Sequence, residues 1–347
     1  MKLINFLSND EGQTNFGVCL KNHAISFHIL TETFGLNHLG LMNDESFFQQ
    51  YPESNRIAKC LVEKASEHFS ELDAEHVYSL DTVRLLPPIS SPPALIDFGL
   101  SPQHIRDSAL TLVKYETKSF VRLCLNAIIH LSYKKNSQQA NYRYYKCNHN
   151  SIIGDMESPV WPEFSSYLDV EPELGIVVGR AELGMRGDDL KDAIAGYVIF
   201  NDFSARDIQF PEMMGFLGPA RCKDFERGNG IGPFLVTPDE VSDPLNLEVQ
   251  VNIGERYSWK GNTSCYSARP IEIVEHLTES QSLKPGTILG MGTVAGCCGL
   301  ERDEWLNPGE LVSMTIGNLG TLRHPIPDNI AGTMSQGRWP SRSELHK

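Results

Sequence analysis

Tyr167–Gly179 constrains this chain more than any other stretch, because it runs acidic residues straight into an apolar strand. Leu168, Val170, Pro172 and Leu174 alternate with Asp169, Glu171 and Glu173, the period-two pattern of a strand with one polar face. Glu171 and Glu173 then project from the same face, their Cβ atoms about 7 Å apart. Two carboxylates so placed repel each other and, out of water, must hold a proton or share a cation. Gly175–Gly179 reads as core, which sets the pair at a pocket mouth. A second apolar strand, Ala195–Phe200, ends in Asn201-Asp202. A carboxylate at the end of a buried strand suits a hard, oxygen-preferring ion, so Asp202 joins Glu171 and Glu173 as a candidate ligand.

The 347 residues suffice for a large core, and 41% hydrophobic with 21% charged content is that of a globular protein. A net charge of −14 excludes nucleic acid and anionic membrane surfaces as expected partners. An anionic substrate would then need cations close to the site. The N-terminus turns polar after seven residues, and no apolar run approaches the roughly 18 residues that span a bilayer. The eight cysteines are scattered, and the neighbours Cys297 and Cys298 are poorly placed to bridge each other. These features predict a reduced, cytoplasmic protein.

Along the chain, residues 1–90 read as a small α+β unit, with strands at Leu3–Leu7, Phe16–Leu20 and Ala24–Phe27 and helices at Glu45–Tyr51 and Arg56–Phe69. The unit ends in a linker with four prolines between Pro87 and Pro93. Residues 91–330 form the expected main domain, and 331–347 a polar tail, unstructured or packed on the surface. Ser101-Pro102 is an N-cap followed by proline at N1, which puts His104 in the first turn of a helix running to about Glu116. A helix N-terminus disfavours imidazolium and is expected to keep the ring neutral and basic. Ser119–Tyr133 reads as an amphipathic helix and Lys134–Ala140 as a polar loop, and residues 101–141 are expected to act as a mobile cover. Five glycines in Gly215–Gly232 suit backbone close to a ligand, yet no helix follows, so this is no phosphate loop. A hairpin over Leu245–Lys260, a helix at Pro270–Leu277 and turn-then-strand units at Pro285-Gly286 and Pro308-Gly309 complete the reading.

Glu171-x-Glu173 on a strand, followed by Asn201-Asp-x-Ser-Ala-Arg206-Asp-x-Gln209, resembles the fumarylacetoacetate hydrolase superfamily, and the matches span residues 92–326. The resemblance implies a β-rich α+β fold, mixed sheets rolled around a central pocket, and usually a homodimer. It implies one divalent cation, Mg²⁺ with Mn²⁺ or Ca²⁺ as alternatives, held by Asp97, Glu171, Glu173 and Asp202, with Asp97 the weaker fourth ligand. Asp97 and His104 reproduce an Asp-then-His spacing in which His is the general base. Lys223, Arg206 and Gln209 would offset charge and stabilise an enolate. Tyr145 and the Gly292-Thr293 pair would meet the substrate, whereas His149 in the same segment as Tyr145 is a weaker candidate. The implied reaction is hydrolysis of a C–C bond in a small β-diketo acid or acylpyruvate. The alternatives are decarboxylation or keto–enol tautomerisation of oxaloacetate-like 2-oxo acids, a hydratase, and a catalytically inactive binding homologue. In two departures, Gly99 and Met213 stand where the family's name-giving enzyme has tyrosines, and only Glu301 or Glu304, at unfavourable spacing, could orient His104.

Overall fold

The computed structural model describes residues 1–8, 12, 14–136, 142–328 and 339–340, an α+β architecture built on one mixed sheet of twelve strands. At its centre runs Ile194–Asp202, with Pro172–Val178 antiparallel on one side and Asn229–Val236 antiparallel on the other. These strands are buried on both faces, which is why they read as continuous apolar runs rather than alternating ones. Beyond Pro172–Val178 the sheet continues through Ile288–Gly290 to Leu95–Phe98, a parallel pair, and ends at Tyr144–Lys146. In the other direction Asn229–Val236 pairs with Lys2–Leu7, and Thr14–Leu20, His23–Ser26 and Tyr78–Ser79 follow. Among the described residues the path has two ends and closes no barrel.

The first ninety residues thus contribute strands to the same sheet. Helices α1 (Phe27–Phe34), α2 (Asp44–Gln49) and α3 (Glu53–Glu67) cover that end. Phe16, Phe27 and Phe47 pack at centroid distances of 5.2 and 5.5 Å, in one cluster with Val177, Val198 and Phe200 of the central strands. Each such side chain taken from water contributes roughly 1.5–3 kcal/mol, so burial couples the two ends of the sheet strongly. The Pro-rich stretch follows Arg84–Leu86, an off-path strand paired with Lys2–Leu7.

A separate antiparallel sheet orders Tyr257–Asn262, Glu248–Ile253, Leu311–Ile316 and Thr321–Pro325. Two of its strands alternate between exposed or partly exposed and buried residues, placing Val249, Val251, Val312 and Met314 inward. Helix α4 (Pro102–Glu116) begins as its cap predicts, with Ser101 Oγ accepting from the His104 N–H. Helix α5 (Ser119–Asn136) runs three residues past Tyr133, and residues 137–140 of the expected polar loop lie outside the described residues. Helices α6 (Arg206–Met214), α7 (Pro270–Thr278) and α8 (Gly299–Arg302) follow among the described residues. Of the expected polar tail only Trp339 and Pro340 are described, and Trp339 is buried, stacked on Tyr115 at 4.2 Å and edge-on to Trp305. Among the described residues no helix is long and apolar enough to cross a membrane.

Candidate active site

The strand expected to run unbroken from Leu168 is in two pieces. Leu168–Asp169 pairs with Ser204–Ala205, whereas Pro172–Val178 joins the main sheet. The acidic face between them points into protein rather than water, and Asp169, Glu171 and Glu173 are all buried. Glu173 lies opposite Phe200, two residues before Asp202 at the end of the central strand. Asp97 comes from Leu95–Phe98, opposite Gly290 on the intervening strand. Gly290 lets these carboxylates converge, because a Cβ there would stand 2.6 Å from both Asp97 Oδ1 and Glu173 Oε2.

Asp97, Glu173 and Asp202 each bring an oxygen into one group whose atoms lie within 4.8 Å of one another. Burial pushes Asp97 up to about 7, and pushes Glu173 and Asp202 upward as well. Each carboxylate also has one buried oxygen without a hydrogen-bond partner: Asp97 Oδ1, Glu173 Oε1 and Asp202 Oδ1. Three buried carboxylates that converge, each with one oxygen left without a partner, fit a hard dication of the Mg²⁺, Mn²⁺ or Ca²⁺ type.

Glu171 stands outside that trio and Asp97 inside it, whereas the expected set had Glu171, Glu173 and Asp202 with Asp97 as the weaker fourth ligand. Arg206 Nη2–H donates to its Oε1 at 2.7 Å, and the Lys223 ammonium donates to its Oε2. Burial alone would raise its pKa, but Arg206, Lys223 and His104 together hold it well below the usual carboxylate range. Lys223 also donates to Asp202 Oδ2 at 2.6 Å, so it links Glu171 to the trio. These two fixed cations offset only part of the negative charge of the buried carboxylates around them, an excess that suits a dication. Arg206 is in turn held by Asp169, whose Oδ2 accepts from Nε–H at 2.9 Å, and its Nη1–H donates to Gln209 Oε1 at 2.9 Å.

His104 lies against the same cluster. Its Nε2 is 3.4 Å from Glu171 Oε1, and its Nδ1 is 2.7 Å from Glu301 Oε1. Glu301 is therefore the carboxylate in contact with His104, despite its unfavourable spacing in the sequence, whereas Glu304 accepts from Trp259 Nε1–H instead. The short helix α8 makes this possible. Asp169 Oδ1 and Oδ2 accept from Gly299 N–H and Leu300 N–H at 2.8 and 2.9 Å, pinning the turn that carries Glu301. The expectation of a neutral ring is corrected. Burial opposes the charge, but Cys298, Glu301 and Glu171 outweigh it and hold the imidazole well above its ordinary range. Two carboxylates in contact dominate a partial helix charge. Helix α4 already brings His104 to Glu171, so no swing of the cover is needed for contact.

The remaining expected residues divide. Tyr145, opposite Asp97 on the edge strand, donates its hydroxyl to Asp202 Oδ2 and so braces the carboxylate trio. Gly292 adopts φ +91°, and a Cβ there would meet Phe98 O at 2.4 Å. Its N–H, expected to face a substrate, donates to Glu173 Oε2 at 2.8 Å instead. Thr293 is buried next to it, and the turn is tied to the Glu173 strand by Val294 N–H donating to Pro172 O at 2.9 Å. Gly99, Met213 and His149 are exposed. Sequence reasoning missed Asp169 and Cys298. The position of Asp169 on the acidic face was a signal for the first, and nothing local marked the second.

The chain matches the family model for the C-terminal domain of fumarylacetoacetate (FAA) hydrolase over residues 120–327. An uncharacterized protein of Staphylococcus aureus (strain USA300) is 27% identical over 330 residues, covering 93% of this chain and 98% of its own. Among solved structures, a fumarylacetoacetate hydrolase from psychrophilic Exiguobacterium antarcticum superposes with a TM-score of 0.66 at 20% identity, covering 95% of this chain and 100% of its own. Maleylpyruvate hydrolase from Sphingobium sp. SYK-6, in complex with manganese(II) and pyruvate, gives 0.64 at 18% identity over 94% and 99% of the two chains. A 2-hydroxyhepta-2,4-diene-1,7-dioate isomerase from Mycobacterium marinum gives 0.61 at 23% over 94% and 98%. At these identities the structural matches establish the fold alone.

Proposed function

The chain belongs to the fumarylacetoacetate hydrolase family, and from that premise we propose that it hydrolyses a carbon–carbon bond in a small β-diketo acid of the acylpyruvate type. The observation that carries this reading is the trio Asp97, Glu173 and Asp202, with its partnerless oxygens, beside a His104–Glu301 pair. Asp97, Glu173 and Asp202, with Glu171 adjoining, would hold one divalent cation, for which Mg²⁺ is our assignment. Bound there, the ion supplies Lewis-acid polarisation of the 2-oxo carboxylate.

The protein's own groups do the rest. With Nδ1–H donating to Glu301 Oε1, the ring that has first released its Nε2 proton to solvent takes a proton from water at Nε2, and the resulting hydroxide adds to the distal carbonyl. Glu301 then stabilises the imidazolium. Collapse of the tetrahedral adduct breaks the C–C bond, whose electron pair becomes an enolate. Lys223 and Arg206 are the fixed positive charges beside that enolate, and Gln209, with its carbonyl on Arg206, offers its amide NH₂ as a donor. The enolate finally takes up the proton that His104 stored.

One observation favours a second reading. A ring held above its ordinary range is protonated at rest and suits an acid that protonates an enolate carbon, as decarboxylation or keto–enol tautomerisation of an oxaloacetate-like acid requires. Purified protein with Mg²⁺ or Mn²⁺, assayed product by product against acylpyruvates and oxaloacetate, tests both. Cleavage of acylpyruvates with a loss of about 10²–10⁴ in turnover on His104→Ala supports the hydrolase. Activity on oxaloacetate alone sinks it, and loss of that activity on His104→Ala then supports the second reading.

A further inference from the structure

Cys298 is a fully buried thiol that belongs to one apolar cluster with Leu112, Tyr167 and Trp305, yet its sulfur also meets a polar group. Its Sγ lies 3.8 Å from His104 Nδ1, which in turn lies 2.7 Å from Glu301 Oε1. The three ligand atoms are all within 4.8 Å of one another. In a tetrahedral zinc site, Zn–S near 2.3 Å and Zn–N near 2.05 Å put sulfur and nitrogen about 3.6 Å apart. The Nδ1–Sγ pair is thus already at ligand spacing, and Glu301 Oε1 would have to withdraw from Nδ1 by about 0.6 Å. Cys298 and Glu301 sit on one turn whose backbone is pinned by Asp169, so their spacing is set by the fold. The opposite ring nitrogen, Nε2, faces Glu171 Oε1 at 3.4 Å. A metal-bound histidine ordinarily has such a carboxylate behind it, fixing the tautomer.

We propose that His104 Nδ1, Cys298 Sγ and a Glu301 oxygen form a second metal site, distinct from the carboxylate trio and selective for a soft, thiolate-seeking dication such as Zn²⁺ or Cd²⁺. The two sites sort ions by donor type. The trio offers only oxygen, which suits Mg²⁺ or Mn²⁺, whereas a set of sulfur, nitrogen and oxygen favours zinc and cadmium. Binding releases the thiol proton and the Nδ1 proton, forms M–S, M–N and M–O bonds, and changes no oxidation state. The ion reaches the site from the His104 side, whose side chain is 14% exposed. A consequence rests on the proposed function: with Nδ1 on a metal, Glu301 can no longer orient the ring as a base, so micromolar zinc would inhibit.

The test is a Cd²⁺ titration in excess Mg²⁺, reading the ultraviolet thiolate-to-cadmium charge-transfer absorption. The exposed Cys60 and Cys124 are first replaced by serine to remove their signal. One equivalent of band is expected, lost on adding Cys298→Ala. The band should form at least about tenfold more weakly in His104→Gln, which keeps the thiol. No band in the parent protein, or a band untouched by Cys298→Ala, overturns the proposal. Should Cys298→Ala not fold, unchanged cadmium affinity in His104→Gln overturns it equally. Binding without loss of activity upholds the site and counts instead against His104 as the base.

Discussion

Replacing Gly290 with alanine would set a methyl carbon 2.6 Å from Asp97 Oδ1, 2.6 Å from Glu173 Oε2 and 2.9 Å from the Phe200 ring. Ordinary contact begins near 3.4 Å, so each oxygen must retreat by about 0.8 Å, against a tolerance of about 0.2 Å in metal–ligand distances. Overpacking of this kind costs about 1–3 kcal/mol of stability, which leaves a folded protein to measure. We take the loss of cation affinity as about 100-fold, the upper end seen when the support of metal ligands is disturbed. At a cation concentration about 100 times the native Kd, metal-linked stabilisation then falls from about 2.7 to about 0.4 kcal/mol. With about 2.1 cal/mol/K of unfolding entropy per residue over 347 residues, the rise in Tm on adding Mn²⁺ shrinks from about 4 °C to under about 1 °C. Thermal melts with and without Mn²⁺, paired with electron paramagnetic resonance of free Mn²⁺, read this out. A folded Gly290→Ala protein with the native Mn²⁺ shift would refute the idea that these carboxylates hold the ion.

Glu301→Gln should lower kcat about 10–100-fold. It should also move the acid limb of the pH–rate profile to lower pH, because the ring loses one of the carboxylates that raise it; a kcat loss with the limb unmoved would leave Glu301 a merely structural role. His324 is buried, with Nδ1 on Glu157 O at 2.9 Å, Nε2 partnerless, and burial pushing it down to about 4. Between about pH 4 and the ordinary value near 6.5 the unfolded ring binds a proton that the folded one refuses, so stability falls as pH drops through that window. His324→Asn should flatten that fall by about 3 kcal/mol in difference melts, and parallel pH curves for both proteins would disprove it. Trp339→Ala should cost about 3–5 kcal/mol of stability by emptying the aromatic cluster with Tyr115 and Trp305, and a melting point within a degree of wild type would contradict that packing.

Much of this molecule is legible in short stretches of chain. Strand runs such as Gly175–Val178 and Ala195–Phe200, the Ser101-Pro102 cap, and the turns before Ile288 and Leu311 are local properties: periodicity, a side-chain oxygen for an orphan N–H, a proline that fits a first turn. Glu171, Glu173 and Asp202 could be singled out because strand geometry relates neighbours at a fixed period. What chain order could not supply is the pairing of groups that are close only because two strands lie in register. Glu301 meets His104 across 197 positions because Asp169 pins the α8 turn. Gly290 matters only because Asp97 lies opposite it and Glu173 reaches over it. The charge state of His104 followed the same rule. The helix N-terminus acts through partial charges, whereas two full carboxylates delivered by distant segments act at contact distance. Likewise Glu171 could be recognised as acidic and strand-borne, but whether it faces a metal or two cations depended on where Lys223 and Arg206 arrive. Residue type and spacing determined which chemistry the chain can hold, and the tertiary fold, by choosing each group's nearest charge, decided which groups carry it.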